Sequence, residues 1–487
     1  MKTIVTTAST TGAPLLALFI RAENPVEGLQ AVTSLGTSQR NCILEWIAAR
    51  ECKDLENRWY LLAAGSVLVS FVKANPSRAL HPWRQAAGNC VAALESLHAT
   101  EVAVDVAACS EQQTGALCDG LLLAGYEFAR ISAETPKEKV ITFHFLPLNA
   151  AQEAAFNHSQ ILCAGSNTAR RLADMPANLM TPSLLADQAL QIAKANGLDC
   201  KILDKNAIVK EGMGALLAVS QGSVHEPRLI VMEYRHPLAR QTLCLVGKGL
   251  TFDAGGVNVK LGRGLGEMKY DKSGGSAVIA TMQVIAQLQP HMNVIAIVPA
   301  TENTIGPDAF KPGDVIQACN GKTIEVANTD AEGRLILCDA LAYGVKHYQP
   351  DLMLSIATLT GAVISALGRG VSAITGTSDA LCRAVIAAGE VVDERLWQIP
   401  LFDVHDELLK SNFADLLNVE ESGEGSLING PAFLKHFVGD TPWAAIDIGG
   451  TAWRHSGASY IRGKGASGVG VRFFTEYILT ATKNSKI

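Results

Sequence analysis

Three short stretches of the chain concentrate acidic and basic residues beside glycines. The first runs Gly247-Lys248-Gly249-Leu250-Thr251-Phe252-Asp253-Ala254-Gly255-Gly256, with Lys260 close behind. The second is Glu267-Met268-Lys269-Tyr270-Asp271, and the third is Asn328-Thr329-Asp330-Ala331-Glu332-Gly333-Arg334-Leu335. Asp253, Asp271, Asp330 and Glu332 together offer four carboxylates. Two divalent cations about 3.5–4 Å apart can clamp and acidify a water, and holding that much positive charge requires several carboxylates on rigid turns. Asp330 and Glu332 are separated by one residue, so an extended backbone there would put both side chains on one face. The neighbouring glycines permit close backbone approach or unusual dihedrals. Histidine and cysteine offer no competing metal set: there are eleven of each, with no HExxH, HxH or CxxC pattern. Any metal must therefore be held by carboxylates.

Each residue alone has an ordinary explanation. An Asp at a strand end or helix start is more often an N-cap than a ligand, and an isolated Lys248 or Lys260 would be a solvated charge. Two other glycine-rich stretches carry no nucleotide signature. Gly321-Lys322-Thr323 resembles the end of a phosphate-binding loop, but Ile316 stands where that loop needs glycine. Gly262-Arg263-Gly264-Leu265-Gly266 lacks the dinucleotide spacing. His436, at helical spacing in an apolar stretch, reads as a packed or surface residue.

The elements that must position these clusters are legible from apolar periodicity. Continuous Val/Ile/Leu runs predict strands at Arg228 to Tyr234, Thr242 to Val246, Asn293 to Pro299, Asp351 to Ala357 and Trp443 to Ile448. Helical segments alternate with them at Ser183 to Ala195, Ser273 to Gln287, Ala331 to His347 and Thr360 to Leu367. Such alternation implies a mostly parallel sheet covered on both faces, with sites beyond the carboxyl ends of its strands. The Asn320-Gly321 pair between two short apolar runs predicts a β-hairpin. Residues 1–150 read as a smaller α/β domain, with strand signals in Tyr60 to Phe71, Glu101 to Ala107 and Lys139 to Leu146 and a helix over Pro82 to His98. A long linker helix is expected over 151–177. Thr181 then caps a helix with Pro182 at its first position, opening a larger catalytic domain over 178–487 with a central, mostly parallel sheet flanked by helices. The expected class is thus α/β in two domains.

Composition agrees with a large folded enzyme. The chain has 487 residues, 48% of them hydrophobic and 18% charged, with a net charge of -6, which points to neither nucleic acid nor an anionic membrane. Apolar stretches reach only about ten residues, half of what a spanning helix needs. The N-terminal apolar patch from Ala13 to Ile20 is separated from Lys2 by Thr, Ser and Gly and followed by Arg21, unlike a signal peptide. An odd cysteine count, with Cys163, Cys244 and Cys338 in apolar runs, suits reduced thiols. The expected compartment is cytoplasmic.

Together the three clusters resemble the signature segments of the leucine-aminopeptidase (cytosol aminopeptidase) family. The Asn328–Leu335 stretch matches its most specific motif in full. The likeness extends through Pro312-Gly-Asp-Val315, Ala357-Thr-Leu-Thr-Gly361 and Gly449-Gly-Thr-Ala-Trp453, from about residue 178 to the C-terminus. The resemblance implies two divalent metal ions per subunit, Zn or Mn foremost. Lys248, Asp253, Asp271 and Glu332 look like the ligands of one, and Asp253, Asp330 and Glu332 like those of the other. Lys260 and Arg334 match the family's catalytic lysine and arginine, the latter associated with a bicarbonate ion acting as general base. Met268, Thr358 and Gly361 fall where the family lines its pocket for the first substrate side chain. The activity implied is release of N-terminal residues, leucine and other apolar ones foremost, from peptide substrates by a homohexamer. The alternative is a family member with an added or substitute DNA-binding or structural role. One departure stands out: Lys272 follows Asp271 where relatives more often carry an uncharged residue, and a cation there is expected to point outward.

Overall fold

The computed structural model describes residues 2–6, 15–50, 59–133, 140–262, 264–420 and 422–484. Ala13, Pro14, Lys139 and Arg263, which belong to segments discussed above, lie outside them. The architecture is mixed α/β, with a smaller N-terminal and a larger C-terminal unit. One compact unit comprises Met1–Ala164 with Gly457–Gly463, the other Gly165–Ser456 with Lys464–Ile487. Helix Ala150–Asp174 contains the point at which the first unit ends.

The first unit is built on a six-stranded sheet in the order Lys2–Thr6, Val140–Leu146, Glu101–Asp105, Leu15–Arg21, Val67–Val72, Trp59–Leu62. All neighbours are parallel except the last pair. Its strands are covered on both faces, because alternate side chains enter separate cores. Leu18, Ile20, Val67 and Val69 pack with Leu29 and Ile43, while Ala17, Phe19, Leu68 and Val104 pack with Leu94 and Leu121.

The second unit holds the residues of chemical interest. Five of its strands run parallel to one another: Thr242–Gly247, Gly249–Asp253, Asn293–Asn303, Leu352–Ala357 and Trp443–Asp447. Arg228–Tyr234, antiparallel to Asn293–Asn303, and Asp199–Leu203, antiparallel in turn to Arg228–Tyr234, extend one side. Ser372–Gly376, antiparallel to Trp443–Asp447, and Leu396–Gln398, parallel to Ser372–Gly376, extend the other. Cys244, Val246, Ile295 and Ile297 pack beneath helix Glu332–Tyr348 through Leu337 and Leu341. The alternate residues Leu243, Leu245, Val294 and Ala296 are equally buried on the opposite face, where helix Ser273–Leu288 crosses the same strands. The expected hairpin forms between Val315–Gln317 and Thr323–Glu325, with Gly321 at φ 87° in its turn.

The periodicity reading stops at Val246 and misses Gly249–Asp253. Both segments pair with the 11-residue strand Asn293–Asn303, the first with its beginning and the second with its end. Gly247 and Lys248 therefore mark a break in one nearly continuous line of pairing along Asn293–Asn303, and glycine at both ends of the break masks its strand character.

Helix Glu332–Tyr348 is tied to its neighbours by Asp339, which is fully buried and accepts the backbone N–H groups of Leu216 (2.9 Å) and Cys319 (2.7 Å). Burial pushes its carboxyl up to about 7, against the lowering effect of these hydrogen bonds. Asp339→Ala orphans both N–H groups and is expected to cost about 2–4 kcal/mol in urea unfolding. Because the folded pKa lies above the unfolded one, the stability that Asp339 confers is fully present below pH ~4 and declines as pH rises through about 7. The wild-type minus variant difference should follow that course.

Candidate active site

The five parallel strands end at one edge of the sheet, and their ends deliver Lys248, Asp253, Asn303, Thr358 and Asp447. Two helix starts face them: the 3-10 turn Leu265–Lys272, which carries Asp271, and the first residue of helix Glu332–Tyr348. Asp330 and Glu332 converge through a turn entering this helix, with Ala331 at φ -106° and ψ 40°, and not through the extended backbone expected from their spacing. The helix needs a start here, and its first free N–H groups favour an acidic residue.

Within the cage the charges interlock. Lys248 Nζ donates to Glu332 Oε1 (2.8 Å) and to the Thr358 carbonyl (3.0 Å), and lies 2.8 Å from Asp271 Oδ2. Lys260 Nζ lies 2.7 Å from Asp253 Oδ2 and 2.5 Å from Asp330 Oδ1. The Thr358 hydroxyl donates to Asp271 Oδ1 (2.5 Å). Lys248, Asp253, Asp271 and Glu332 are all buried, while Asp330 and Lys260 are partly open. Gly333 makes room for this: a Cβ there would stand 2.6 Å from Lys248 Nζ. At Gly255, φ is 88°, a region that favours glycine, and its N–H turns back to Asp253 Oδ1 (2.9 Å).

Titration behaviour follows from this packing. Burial pushes Asp253 up to about 8, reinforced by Glu332 and Asp271 and opposed by Lys260 and Lys248. Burial likewise raises Asp271 and Asp330. For Glu332 burial is outweighed by Lys248 and Lys260, which hold it below the usual carboxylate range. The two lysines are also desolvated, yet the surrounding carboxylates raise both above the ordinary lysine value. Two ammonium groups thus balance two of four carboxylates.

The donor set fits hard divalent cations. One oxygen each from Asp253, Asp330 and Glu332 can be chosen so that all lie within 4.8 Å of one another. Glu332 Oε2 is buried and finds no hydrogen-bond donor among the described residues, an acceptor that a cation would satisfy.

A cleft of about 210 Å³ opens beside the cage. Met268, Thr358 and Gly361 line it, together with Lys248, Asp253, Lys260, Asp271, Asp330 and Glu332. Leu359, Thr360, Ile364, Gly449 and Trp453 complete its wall; the sequence reading included all but Ile364 in family-like segments without giving any of the five a site role. Arg334 is buried but does not line this cleft; its Nη1 donates to the Asn418 carbonyl (2.9 Å). Burial lowers its pKa to about 10. Asp447 was also missed. Its carboxylate accepts the N–H groups of Leu359, Thr360 and Gly449 and the Thr360 hydroxyl, fixing the cleft loop. An apolar strand ending in Asp just before two glycines, the pattern around Asp253, was the available signal.

Lys272 corrects one expectation: it points inward and is fully buried. Its Nζ donates to the Met175 (2.9 Å) and Lys269 (2.5 Å) carbonyls, and Lys269 Nζ donates to the Asp174 carbonyl (2.8 Å). Burial, aided by Lys269, lowers the Lys272 pKa to about 7. The turn bearing Asp271 is thereby docked on the last carbonyl of helix Ala150–Asp174 and the one after it, where positive charge is favoured.

A parallel sheet whose strand ends assemble a carboxylate–lysine cage beside a cleft defines the class: a metal-dependent hydrolase. Residues 167–475 match the model of the cytosol aminopeptidase family, catalytic domain. A probable cytosol aminopeptidase of Desulforapulum autotrophicum is 43% identical over 373 residues, covering 75% of this chain and 72% of the relative. One from Desulfotalea psychrophila is 43% identical over 406 residues, 81% of this chain and 80% of the relative. Among solved structures, the bottromycin maturation enzyme BotP in complex with Mn is similar with a TM-score of 0.83 at 27% identity, covering 97% of this chain and 100% of that one. The chain belongs to the cytosol aminopeptidase family and is an aminopeptidase.

Gly333→Ala tests the cage directly. Alanine in a helix is ordinarily more favourable than glycine by about 1 kcal/mol, but here its methyl displaces the Lys248 ammonium. The variant is expected to keep its melting temperature within a few degrees while hydrolysis of an aminoacyl anilide falls about tenfold or more.

Proposed function

We propose that the chain is a two-metal aminopeptidase that releases N-terminal residues, leucine and other apolar ones foremost, from peptides. The observation that carries this reading is the convergence of Lys248, Asp253, Lys260, Asp271, Asp330 and Glu332 in one cage beside a cleft. Lys248, Asp253, Asp271 and Glu332 would hold one cation, and Asp253, Asp330 and Glu332 the other. When bound, such a pair supplies Lewis acidity and a water acidic enough to act as nucleophile near neutral pH. Zn²⁺ and Mn²⁺ are the proposed ions, and the Mn complex of the similar BotP supports the second.

The remaining work falls to this chain's own groups. Lys260, at the cleft and partly open, carries an ammonium that stabilises negative charge developing on the scissile carbonyl oxygen. Arg334, whose Nε is buried without a hydrogen-bond partner among the described residues, provides the positive charge to seat a bicarbonate ion as general base. Met268, Thr358, Gly361 and Ile364 receive the first side chain. No serine or cysteine nucleophile is required. We extend the reading to a homohexamer working in the cytoplasm; among the described residues no helix is long and apolar enough to cross a membrane.

Asp330→Asn and Glu332→Gln are each expected to abolish hydrolysis of leucine p-nitroanilide, as is exhaustive chelation. Full activity in both variants would refute the assignment. Metal uptake should also depend on pH. Asp271, Glu332 and Asp253 hold Lys248 protonated against burial, and it must lose that proton to become a ligand. Affinity for Mn²⁺ should therefore rise with pH, about tenfold per unit for each proton released, read by calorimetry between pH 6 and 8. Lys248 gives one proton, and Asp253, pushed up to about 8, contributes another. A flat profile would exclude Lys248 as a ligand.

A further inference from the structure

Asn303 ends the longest strand of the second unit's sheet, beyond the Pro299 at which the periodicity reading stops, and is fully buried. Its side chain does more than end a strand. Nδ2 donates both to Asp253 Oδ1 (2.9 Å) and to the Thr329 carbonyl (3.0 Å). Both partners are pure acceptors when Asp253 is ionised, so the amide can face them only with its nitrogen. Its Oδ1 is left buried without a partner. That arrangement carries a cost, which argues for a demand on the nitrogen side.

Asp253 Oδ1 is also bonded by the Gly255 N–H (2.9 Å). Two donors therefore occupy one oxygen, and Oδ2 is the oxygen turned towards Lys260. The second donation fixes Thr329, the residue before Asp330. The Thr329 hydroxyl in turn donates to the Gly255 carbonyl (2.7 Å), and its N–H donates to Asn258 Oδ1 (2.9 Å). One amide thus joins the loop after Asp253 to the turn that carries Asp330.

We propose that Asn303 is a positioning residue for the metal centre: it dictates which oxygen Asp253 presents and holds Asp330 in register with it. This rests on the two-metal reading. Partners that orient metal-ligating carboxylates typically change affinity 10–100-fold when removed.

The test uses the full chain stripped by chelator and titrated with Mn²⁺ by calorimetry, with melting temperatures of the metal-free proteins measured in parallel. Asn303→Leu has nearly the same shape and no N–H. Asn303→Ala removes the same donors without requiring space, and serves if leucine is not accommodated. Both are expected to bind Mn²⁺ 10–100-fold more weakly than wild type while the metal-free proteins still unfold cooperatively. Wild-type affinity in either folded variant, with or without a lower melting temperature, would reduce Asn303 to a structural residue and overturn the proposal. Failure of the wild type itself to bind Mn²⁺ would instead remove the two-metal reading on which it stands.

Discussion

Like charges packed into a water-poor space repel strongly, and four carboxylates share such a space here. At an effective dielectric of 20, two unit charges 4 Å apart interact by about 4 kcal/mol, so Asp253, Asp271, Asp330 and Glu332 cannot all be ionised without compensation. Lys248 and Lys260 supply part of it. The scaffold supplies the rest as fixed donors: the Gly255 N–H and Asn303 amide on Asp253, and the Thr358 hydroxyl on Asp271. Much of the second unit can be understood as the rigid frame this needs. Strands buried on both faces cannot shift, so the groups at their ends keep their spacing.

What could be read beforehand follows a physical divide. Long apolar strands and amphipathic helices announce themselves by period, and Arg228–Tyr234, Thr242–Gly247 and helix Pro182–Asn196 with its Thr181 cap lie where the pattern places them. The chemical residues were legible because acids, lysines and glycines recur together at strand ends. Short elements were not. Gly249–Asp253 is masked by its glycine, and the antiparallel pairing of Ser372–Gly376 depends on a partner distant in sequence. Direction of side chains is harder still. The inward course of Lys272 is set by the carbonyls of Lys269, one turn back, and of Met175, which only the folded chain brings near. Asn303 and Asp447 act through hydrogen bonds to residues far along the chain, for which one sequence carries no pattern.

The cleft and the cage share supports. Glu267 accepts the Trp453 indole N–H (3.2 Å) and pairs with Arg454, and the Tyr270 ring stacks on Trp453 with centroids 5.5 Å apart. These contacts join the turn bearing Met268 and Asp271 to the segment bearing Gly449 and Trp453. Asp447 pins the loop Leu359–Thr360 to the same segment. The wall that meets a substrate side chain is therefore continuous with a carboxylate of the cage, so a change in one displaces the other.

The Lys269 ammonium rests on the last carbonyl of a helix that starts at Ala150, Lys272 on the carbonyl just beyond it, and Asp174 of that helix also receives the Ala466 N–H (2.8 Å). This sets a lower limit on any minimal catalytic fragment. A chain trimmed to begin at the Thr181 cap would retain every residue of the cage, but the half-buried Lys269 would lose the Asp174 carbonyl and the buried Lys272 the Met175 carbonyl, next to Asp271. The helix ahead of the cap is part of the chemistry, and cutting it away would damage the centre without removing a single ligand.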